Sequence, residues 1–178
     1  MHVLYAVAER GDCLRLRLTM DWLAVPYRMR WIHVLPGSRA AAPGARDGAV
    51  CLRLDGGREI WEPDAMLFAL SEGTELAPRT AQETAQTVTW LMFAEILSRP
   101  FRVEAPEAAL AALEAYLGET AFLVGRRYTI ADIAVFSALR GLSEMSPELS
   151  AAPATASWAR RIRATHGFSD AAEAVAAA

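Results

Sequence analysis

Lysine and asparagine are both absent from the 178 residues, so every basic side chain apart from histidine is an arginine. Only two cysteines are present, and Cys13 and Cys51 are too few to build a disulfide framework. No cluster of cysteine and histidine has the spacing of metal ligands, so no metal is expected. These absences exclude a disulfide-stapled secreted domain and a zinc protein.

Long apolar runs and a strong excess of one charge are missing as well. No apolar run comes near the ~18 to 20 residues that a membrane span needs. The first residues, Met1 to Tyr5, lack the basic-then-apolar layout of a secretory signal. A net charge of −3 gives no electrostatic footprint for nucleic acid. We therefore expect a cytoplasmic protein with small-molecule partners, and neither nucleic acid nor a membrane among them.

Apolar residues, in contrast, are plentiful. They make up 53% of the chain against 22% charged residues, a composition that permits a full core and excludes a disordered chain. Alanine is abundant, and together with the absence of lysine this is typical of a GC-rich bacterial genome. The chain is thus expected to be a folded bacterial protein of one or two domains.

The first 76 residues mix strand and helix patterns. The alternation that follows Asp12 fits a strand or a helix, but Asp12 is a good N-cap and a length of about a dozen residues favours a helix. Asp55-Gly56-Gly57 has the turn chemistry of a hairpin. The predicted order is β-α-β, loop, β-β-α, over residues 3–7, 12–23, 27–34, 36–49, 50–54, 58–61 and 63–73.

After Pro78 the pattern is wholly helical. Residues 80–97 and 106–117 each carry an apolar face at helical spacing. Thr129 and Asp132 have the spacing of a capping box at the start of a further helix. The sequence therefore predicts two domains, over residues 1–76 and 80–178.

Short motifs along the whole chain resemble those of one family. They are Gly11-Asp12-Cys13-Leu14-Arg15-Leu16-Arg17-Leu18, Glu62-Pro63-Asp64-Ala65-Met66-Leu67, Trp90-Leu91-Met92-Phe93-Ala94-Glu95, Tyr128-Thr129-Ile130-Ala131-Asp132-Ile133 and Trp158-Ala159-Arg160-Arg161-Ile162. The chain resembles the glutathione S-transferases, and the first motif is similar to the opening of the first helix in bacterial members. The resemblance implies an α/β plus all-α fold: a thioredoxin-like N-terminal domain followed by the family's all-helical C-terminal domain.

The resemblance also implies a glutathione site, at which this sequence departs from the family pattern. The family holds the γ-glutamyl carboxylate with a Ser at a helix N-terminus; the matching residue is Pro63, beside Glu62, and it has neither an N–H nor a hydroxyl. The cysteinyl part pairs with backbone before a cis-proline, where this chain has Val50 and Cys51. The activating Ser corresponds to Arg10. We therefore expect glutathione to bind weakly as a co-substrate.

Cys13 and Arg10 are the candidate catalytic residues. At the first turn of a helix, Cys13 lies where the helix dipole, Arg10 and Arg15 favour a thiolate, although Asp12 opposes this. Alternatively, Cys13 is a small apolar side chain packed under the sheet. Arg10 binds a substrate carboxylate or lies solvated on the surface. Cys51 touches a ligand or is a strand residue with a trans bond.

Two functions are compatible with these features. The first is a glutathione S-transferase-like enzyme that acts on a thiol, glutathione or its conjugate, and a small electrophile, within a specialised bacterial pathway. The second is a non-catalytic member that uses the fold for binding and dimerisation and has lost glutathione conjugation. The resemblance implies a homodimer in either case, with apolar surface expected from Met66, Phe68, Trp90 and Phe93.

Overall fold

The computed structural model describes residues 1–6, 11–31, 50–98, 106–143 and 152–165; Arg10 and the predicted loop 36–49 lie outside them. The chain forms two compact units: of the described residues, those up to Leu70 belong to the first unit and those from Ser71 on belong to the second. The elements are β1 (His2–Ala6), α1 (Gly11–Trp22), β2 (Tyr27–Trp31), β3 (Cys51–Arg53), β4 (Glu59–Ile60), α2 (Pro63–Ser71), α3 (Ala81–Leu97), α4 (Pro106–Glu119), α5 (Ile130–Ser143) and α6 (Pro153–Arg163).

The first unit is built on a mixed sheet with the strand order β2-β1-β3-β4. Strand β1 is parallel to β2 and antiparallel to β3, and β3 is antiparallel to β4. Leu4 and Leu52 are paired and fully buried on one face. Tyr27 belongs to the same face and donates a hydrogen bond of 3.2 Å to Oδ1 of Asp21 on α1. Helix α1 therefore covers the face that carries Leu4.

Residues 12–22 form a helix, as predicted, despite their apolar alternation. Cys13, Leu16 and Met20 are buried at the three- and four-residue spacing of one helix face. The intervening Arg15 is also buried, which explains the alternation: a polar side chain lies within the core and is paired there. A strand pattern thus arose from a helix with a buried ion pair.

The hairpin between β3 and β4 is confirmed. Its turn is closed by hydrogen bonds from the Leu54 N–H to the Arg58 carbonyl, 2.8 Å, and from the Gly57 N–H to the Leu54 carbonyl, 2.9 Å. Gly57 has a φ of 82°, a conformation that glycine adopts without steric cost. The strands are shorter than the predicted 50–54 and 58–61.

The second unit contains the long helix α3 and the helices that follow it. Thr80 is the N-cap of α3, because its side chain accepts a hydrogen bond of 3.1 Å from the Glu83 N–H. Helices α3 and α5 pack together, and so do α4 and α6. None of the described helices is long and apolar enough to cross a membrane.

The start of α5 is organised by the fully buried Asp132. Its Oδ2 accepts from the N–H and the hydroxyl of Thr129, both at 3.0 Å, which confirms the predicted contact of the capping box. Its Oδ1 accepts from the Leu123 N–H at 3.0 Å and from Trp158 Nε1 at 2.9 Å. One carboxylate therefore joins the start of α5 to the preceding loop and to α6.

Helix α6 is capped from another helix. Its N-cap residue, Ala152, has no side-chain hydrogen bond, and Glu114 of α4 supplies the acceptors instead. The N–H groups of Ala154 and Thr155 donate to the two Glu114 carboxylate oxygens at 2.8 Å each, and the Thr155 hydroxyl donates at 2.7 Å. Burial raises the pKa of Glu114, but these hydrogen bonds outweigh it and hold the pKa below its usual value.

We expect Glu114→Gln to destabilise the protein by about 1 to 2 kcal/mol at pH 7, because an amide offers one acceptor oxygen where a carboxylate offers two. A carboxylate with a lowered folded-state pKa stabilises the folded protein at pH values above its unfolded-state pKa, near 4.3. This stabilisation is lost as the pH falls through the folded-state pKa. The difference in the free energy of unfolding between the variant and the unmodified protein should therefore become smaller below about pH 4. Urea unfolding measures it, and Glu119→Gln, at an exposed site on the same helix, is the control. Equal losses in both variants would contradict the capping role.

Candidate functional site

The first turns of α1 and α2 meet at a buried arginine. Arg15 has only about 1% of its surface exposed. Its Nη1 lies 2.8 Å from Oδ1 of Asp64, and its Nη2 lies 3.0 Å from Oδ1 of Asp12. Asp12 and Asp64 are in the first turns of α1 and α2. The N-terminal ends of the two helices are therefore held within reach of one guanidinium group.

This cluster sets the electrostatics of both helix ends. Each helix N-terminus carries partial positive charge, which Asp12 and Asp64 complement, and Arg15 compensates one of the two carboxylates. The three side chains together carry a charge of −1. Arg15 thus contributes less positive potential to its neighbour Cys13 than the sequence motif suggests, because its charge is balanced by carboxylates.

Cys13 is buried, with about 5% of its surface exposed, on the α1 face that also carries Leu16. This position favours packing under the sheet over attack on a substrate in solution. Arg10, the other candidate catalytic residue, lies outside the described residues. The catalytic roles of both residues stay predictions.

Pro63 is the first residue of α2, and the carbonyl of the exposed Glu62 accepts the first helical hydrogen bond, from the Met66 N–H at 3.0 Å. Pro63 has no N–H, so the first backbone donors of the helix belong to Asp64 and Ala65. The backbone at this position thus has the helix-start geometry that the resemblance implies, while the donors of the first residue are missing.

Val50 and Cys51 are both buried, and no peptide bond between the described residues is cis. Cys51 pairs with Tyr5 in the antiparallel register of β3 and β1. Burial and, less strongly, nearby Glu59 raise the pKa of the Cys51 thiol to about 11, while Arg53 opposes the shift. At neutral pH the Cys51 side chain is therefore a neutral thiol and not a thiolate.

The two cysteines lie on different sides of the sheet. Cys51 and Tyr5 alternate with Leu52 and Leu4, so their side chains point away from the face covered by α1. Cys13 belongs to α1 on the other side. The two thiols consequently cannot act as a pair, and no group of three or more potential metal ligands occurs in the described part of the chain.

Comparisons with known proteins agree with this architecture. Residues 102–165 match the family described as "Glutathione S-transferase, C-terminal domain". A structure of a possible glutathione S-transferase from Rhodopseudomonas palustris is 29% identical, covers 94% of this chain and 96% of its own, and has a TM-score of 0.84. Residues 102–165 thus match the C-terminal domain of the glutathione S-transferases, and the chain is similar to this structure over nearly its whole length.

More distant structures share the fold. A glutathione S-transferase from Pseudomonas fluorescens is 22% identical, with 94% of this chain and 97% of that chain covered and a TM-score of 0.81. A glutathione transferase from Phanerochaete chrysosporium, solved with oxidized glutathione, is 17% identical, with coverages of 99% and 95% and a TM-score of 0.81. No curated protein matches the chain significantly.

The predicted fold class is confirmed: a thioredoxin-like N-terminal part and a helical C-terminal part, as in the glutathione S-transferase structures. The domain ranges 1–76 and 80–178 stay a prediction. The shared fold supports a glutathione transferase-like function in general.

The apolar surface of the chain differs from the one expected. Met66 is fully buried, so the expectation that it offers surface for a partner is wrong, because its side chain fills the core. Trp90 and Phe93 are half-buried, and the Trp90 ring packs edge-on against Phe93 and Tyr116. The exposed large apolar residues of α3 are instead Val88, Met92 and Ile96, at a spacing of four.

Proposed function

We propose that this chain is a glutathione transferase-like enzyme that joins the thiol of glutathione, or of a glutathione conjugate, to a small electrophile. The observation that carries the proposal is the Arg15 cluster, in which Arg15 of α1 pairs with Asp64 in the first turn of α2 and so links the N-termini of the two helices. These two helix N-termini supply backbone N–H donors for a carboxylate and a thiolate.

The ligand would lie along the elements that the sequence motifs identify. The γ-glutamyl carboxylate binds at the start of α2, by Pro63, and Glu62 accepts a hydrogen bond from the ligand ammonium group. Neutralisation of Asp64 by Arg15 removes much of the repulsion that its carboxylate would exert on this anion. The backbone of Val50 and Cys51 pairs with the cysteinyl part.

The reaction is a nucleophilic substitution. The glutathione thiol loses its proton to solvent, and the thiolate is stabilised by the N-terminus of α1 with help from Arg10 and Cys13. The sulfur lone pair then forms a bond to an electrophilic carbon, and the leaving group departs with the bonding electrons.

A second candidate function is a non-catalytic member that binds and dimerises. Three observations favour it: Pro63 lacks the donor of the family's Ser, Cys13 is buried, and the pKa of Cys51 is raised to about 11. The missing donor weakens the glutathione site, and neither buried thiol is placed to attack a substrate. The two functions differ in whether glutathione becomes part of a product.

Calorimetric titration with glutathione, followed by a conjugation assay with 1-chloro-2,4-dinitrobenzene, separates the two functions. We expect weak binding, with a Kd on the order of 1 mM, and conjugation above the uncatalysed rate. The dipeptide Cys-Gly, which lacks the γ-glutamyl carboxylate, is the matched control and should bind more weakly still. Glutathione binding without conjugation of any electrophile favours the second candidate. Equal binding of both peptides would contradict a carboxylate site at α2.

We also propose that the chain is a homodimer, in which the exposed face of α3 that carries Val88, Met92 and Ile96 is covered. Met92 has about 64% of its surface exposed, and Val88 and Ile96 on the same face have 42% and 49%. A stable interface buries well above ~1,200 Å², so these three residues would form part of a larger contact.

Met92→Glu should shift the protein from dimer to monomer, because the interface would then bury an unpaired charge. Light scattering at micromolar concentration measures the mass, which we expect to fall from twice the 19.4 kDa of the chain to that value. Gln86→Glu, at an exposed site on another face of α3, introduces the same charge as a control. A 19.4 kDa mass for the unmodified protein would rule the dimer out.

A further inference from the structure

We propose that strand β2 is a docking edge for a partner polypeptide, which adds an extended segment with alternating acidic and apolar residues beside Tyr27–Trp31. This surface is separate from the start of α2, at which glutathione is proposed to bind. The position of β2 in the sheet and the charge pattern on the two faces of this strand support the proposal.

Strand β2 is the outer strand of the described sheet, with β1 as its neighbour on one side only. With five residues it has the length of a typical complete strand. Along its other edge, alternate N–H and carbonyl groups point away from β1 and can pair with an added strand. The other outer strand, β4, has only two residues and offers a much shorter edge.

Positive charge is concentrated on one face of this edge. Arg28 and Arg30 are exposed and make no ion pair within the described part of the chain. In the β1–β2 register they lie beside Val3 and Tyr5, so they point away from α1. An added strand with Glu or Asp opposite Arg28 and Arg30 would therefore gain two favourable cross-strand pairs.

The same face carries a third arginine. Arg53 pairs with Val3 across β1 and β3, and its guanidinium lies 5.1 Å from the centre of the Tyr5 ring. Its Nη2 donates to Oε1 of Glu59 at 2.8 Å, so its charge is balanced by a carboxylate. These strand residues leave a charge of +2 on the face, from three arginines and one glutamate, in a chain whose net charge is −3.

The opposite face of β2 is apolar. Tyr27, Met29 and Trp31 alternate with the two arginines, and each is only half-buried. An added strand would cover their remaining surface with its own alternate apolar side chains. A second copy of β2 is disfavoured as the added strand, because arginines would then face arginines. Charge complementarity therefore selects an acidic partner.

The test measures binding of a fluorescein-labelled peptide of alternating Glu and Val, ten residues long, to the full chain by fluorescence anisotropy. The double variant Arg28→Glu with Arg30→Glu should bind at least roughly tenfold more weakly, because two attractive pairs become repulsive. Arg126→Glu, an exposed arginine of the second unit, is the charge-matched control and should bind as the unmodified chain does. Circular dichroism checks that each variant is folded.

Two further peptides test the strand geometry. Replacing every Glu of the peptide by Lys should abolish binding. N-methylation of the peptide at alternate residues should also abolish binding, because it removes the backbone donors of an added strand. Equal binding of the methylated peptide, or equal loss in the Arg126→Glu control, would overturn the proposal. Binding to phosphatidylglycerol vesicles with no binding of the Glu-Val peptide would also overturn it and would assign the arginines to a lipid surface.

Discussion

Replacing Asp132 with Ala should lower the free energy of unfolding by roughly 3 to 5 kcal/mol, the largest loss that we expect from a single substitution in the described residues. The carboxylate is fully buried and accepts four hydrogen bonds, from Thr129, Leu123 and Trp158. Its removal leaves four buried donors without an acceptor. Urea unfolding followed by circular dichroism measures the loss.

Glu72→Ala, which removes an exposed carboxylate at the end of α2, is the control for this variant and should change stability by less than ~0.5 kcal/mol. The loss for Asp132→Asn should lie between the losses for Glu72→Ala and Asp132→Ala. An amide retains one acceptor oxygen, but it places two N–H groups among donors. A loss near zero for Asp132→Ala would show that the start of α5 does not depend on this carboxylate.

The pH dependence of stability should carry the signature of Asp132. Burial raises its pKa to about 6, against the opposing effect of the hydrogen bonds from Trp158, Leu123 and Thr129. A carboxyl group with a raised folded-state pKa stabilises the folded protein at pH values below its unfolded-state pKa, near 3.9. This stabilisation is lost as the pH rises through the folded-state pKa of about 6. From pH 4 to 7, unmodified protein should therefore lose roughly 2 kcal/mol relative to Asp132→Asn. A difference independent of pH would contradict the raised pKa.

The sequence predicts part of this network. The spacing of Thr129 and Asp132 is local, and it identifies the start of α5 and the contact between these two residues. The hydrogen bonds from Leu123 and Trp158 span 9 and 26 positions of the chain, and no periodicity or spacing rule connects residues so far apart. The cap is therefore predictable, whereas its role as a joint between helices requires the structure.

Pro63→Ser should strengthen glutathione binding by roughly ten- to a hundredfold. The substitution restores an N–H and a hydroxyl at the first position of α2, and a hydrogen bond to a charged group contributes about 1.5 to 3 kcal/mol. The backbone is prepared for the change, because the Glu62 carbonyl already accepts from Met66 and begins the helix at Pro63. Isothermal titration calorimetry gives the two Kd values.

Pro63→Ala is the matched control, since it restores the N–H without the hydroxyl and should recover only part of the gain. Thermal unfolding checks that both variants retain their stability, because proline is favourable at the first position of a helix. Micromolar binding by the unmodified protein, unaltered by Pro63→Ser, would show that glutathione is held at another place in the molecule.

The site was harder to predict than the elements that form it. The position of Pro63 at the start of a helix follows from local sequence, and the structure agrees. The pairing of Arg15 with Asp64 does not, because 49 positions separate the two residues. The prediction that Met66 lies on an exposed surface was wrong. A methionine on a helix is apolar whether it faces the core or a partner, and only the packing of the folded chain distinguishes the two cases.

The reach of the Asp132 carboxylate has a consequence for synthesis of the chain on the ribosome. Residues 1–70, and α3 to α5, are translated before Trp158, the most distant donor to Asp132. Until Trp158 has left the exit tunnel, the second unit holds a carboxylate that lacks one of its hydrogen-bond donors, and Glu114 has no helix to cap. The nascent second unit is thus expected to stay open to chaperones until α6 emerges.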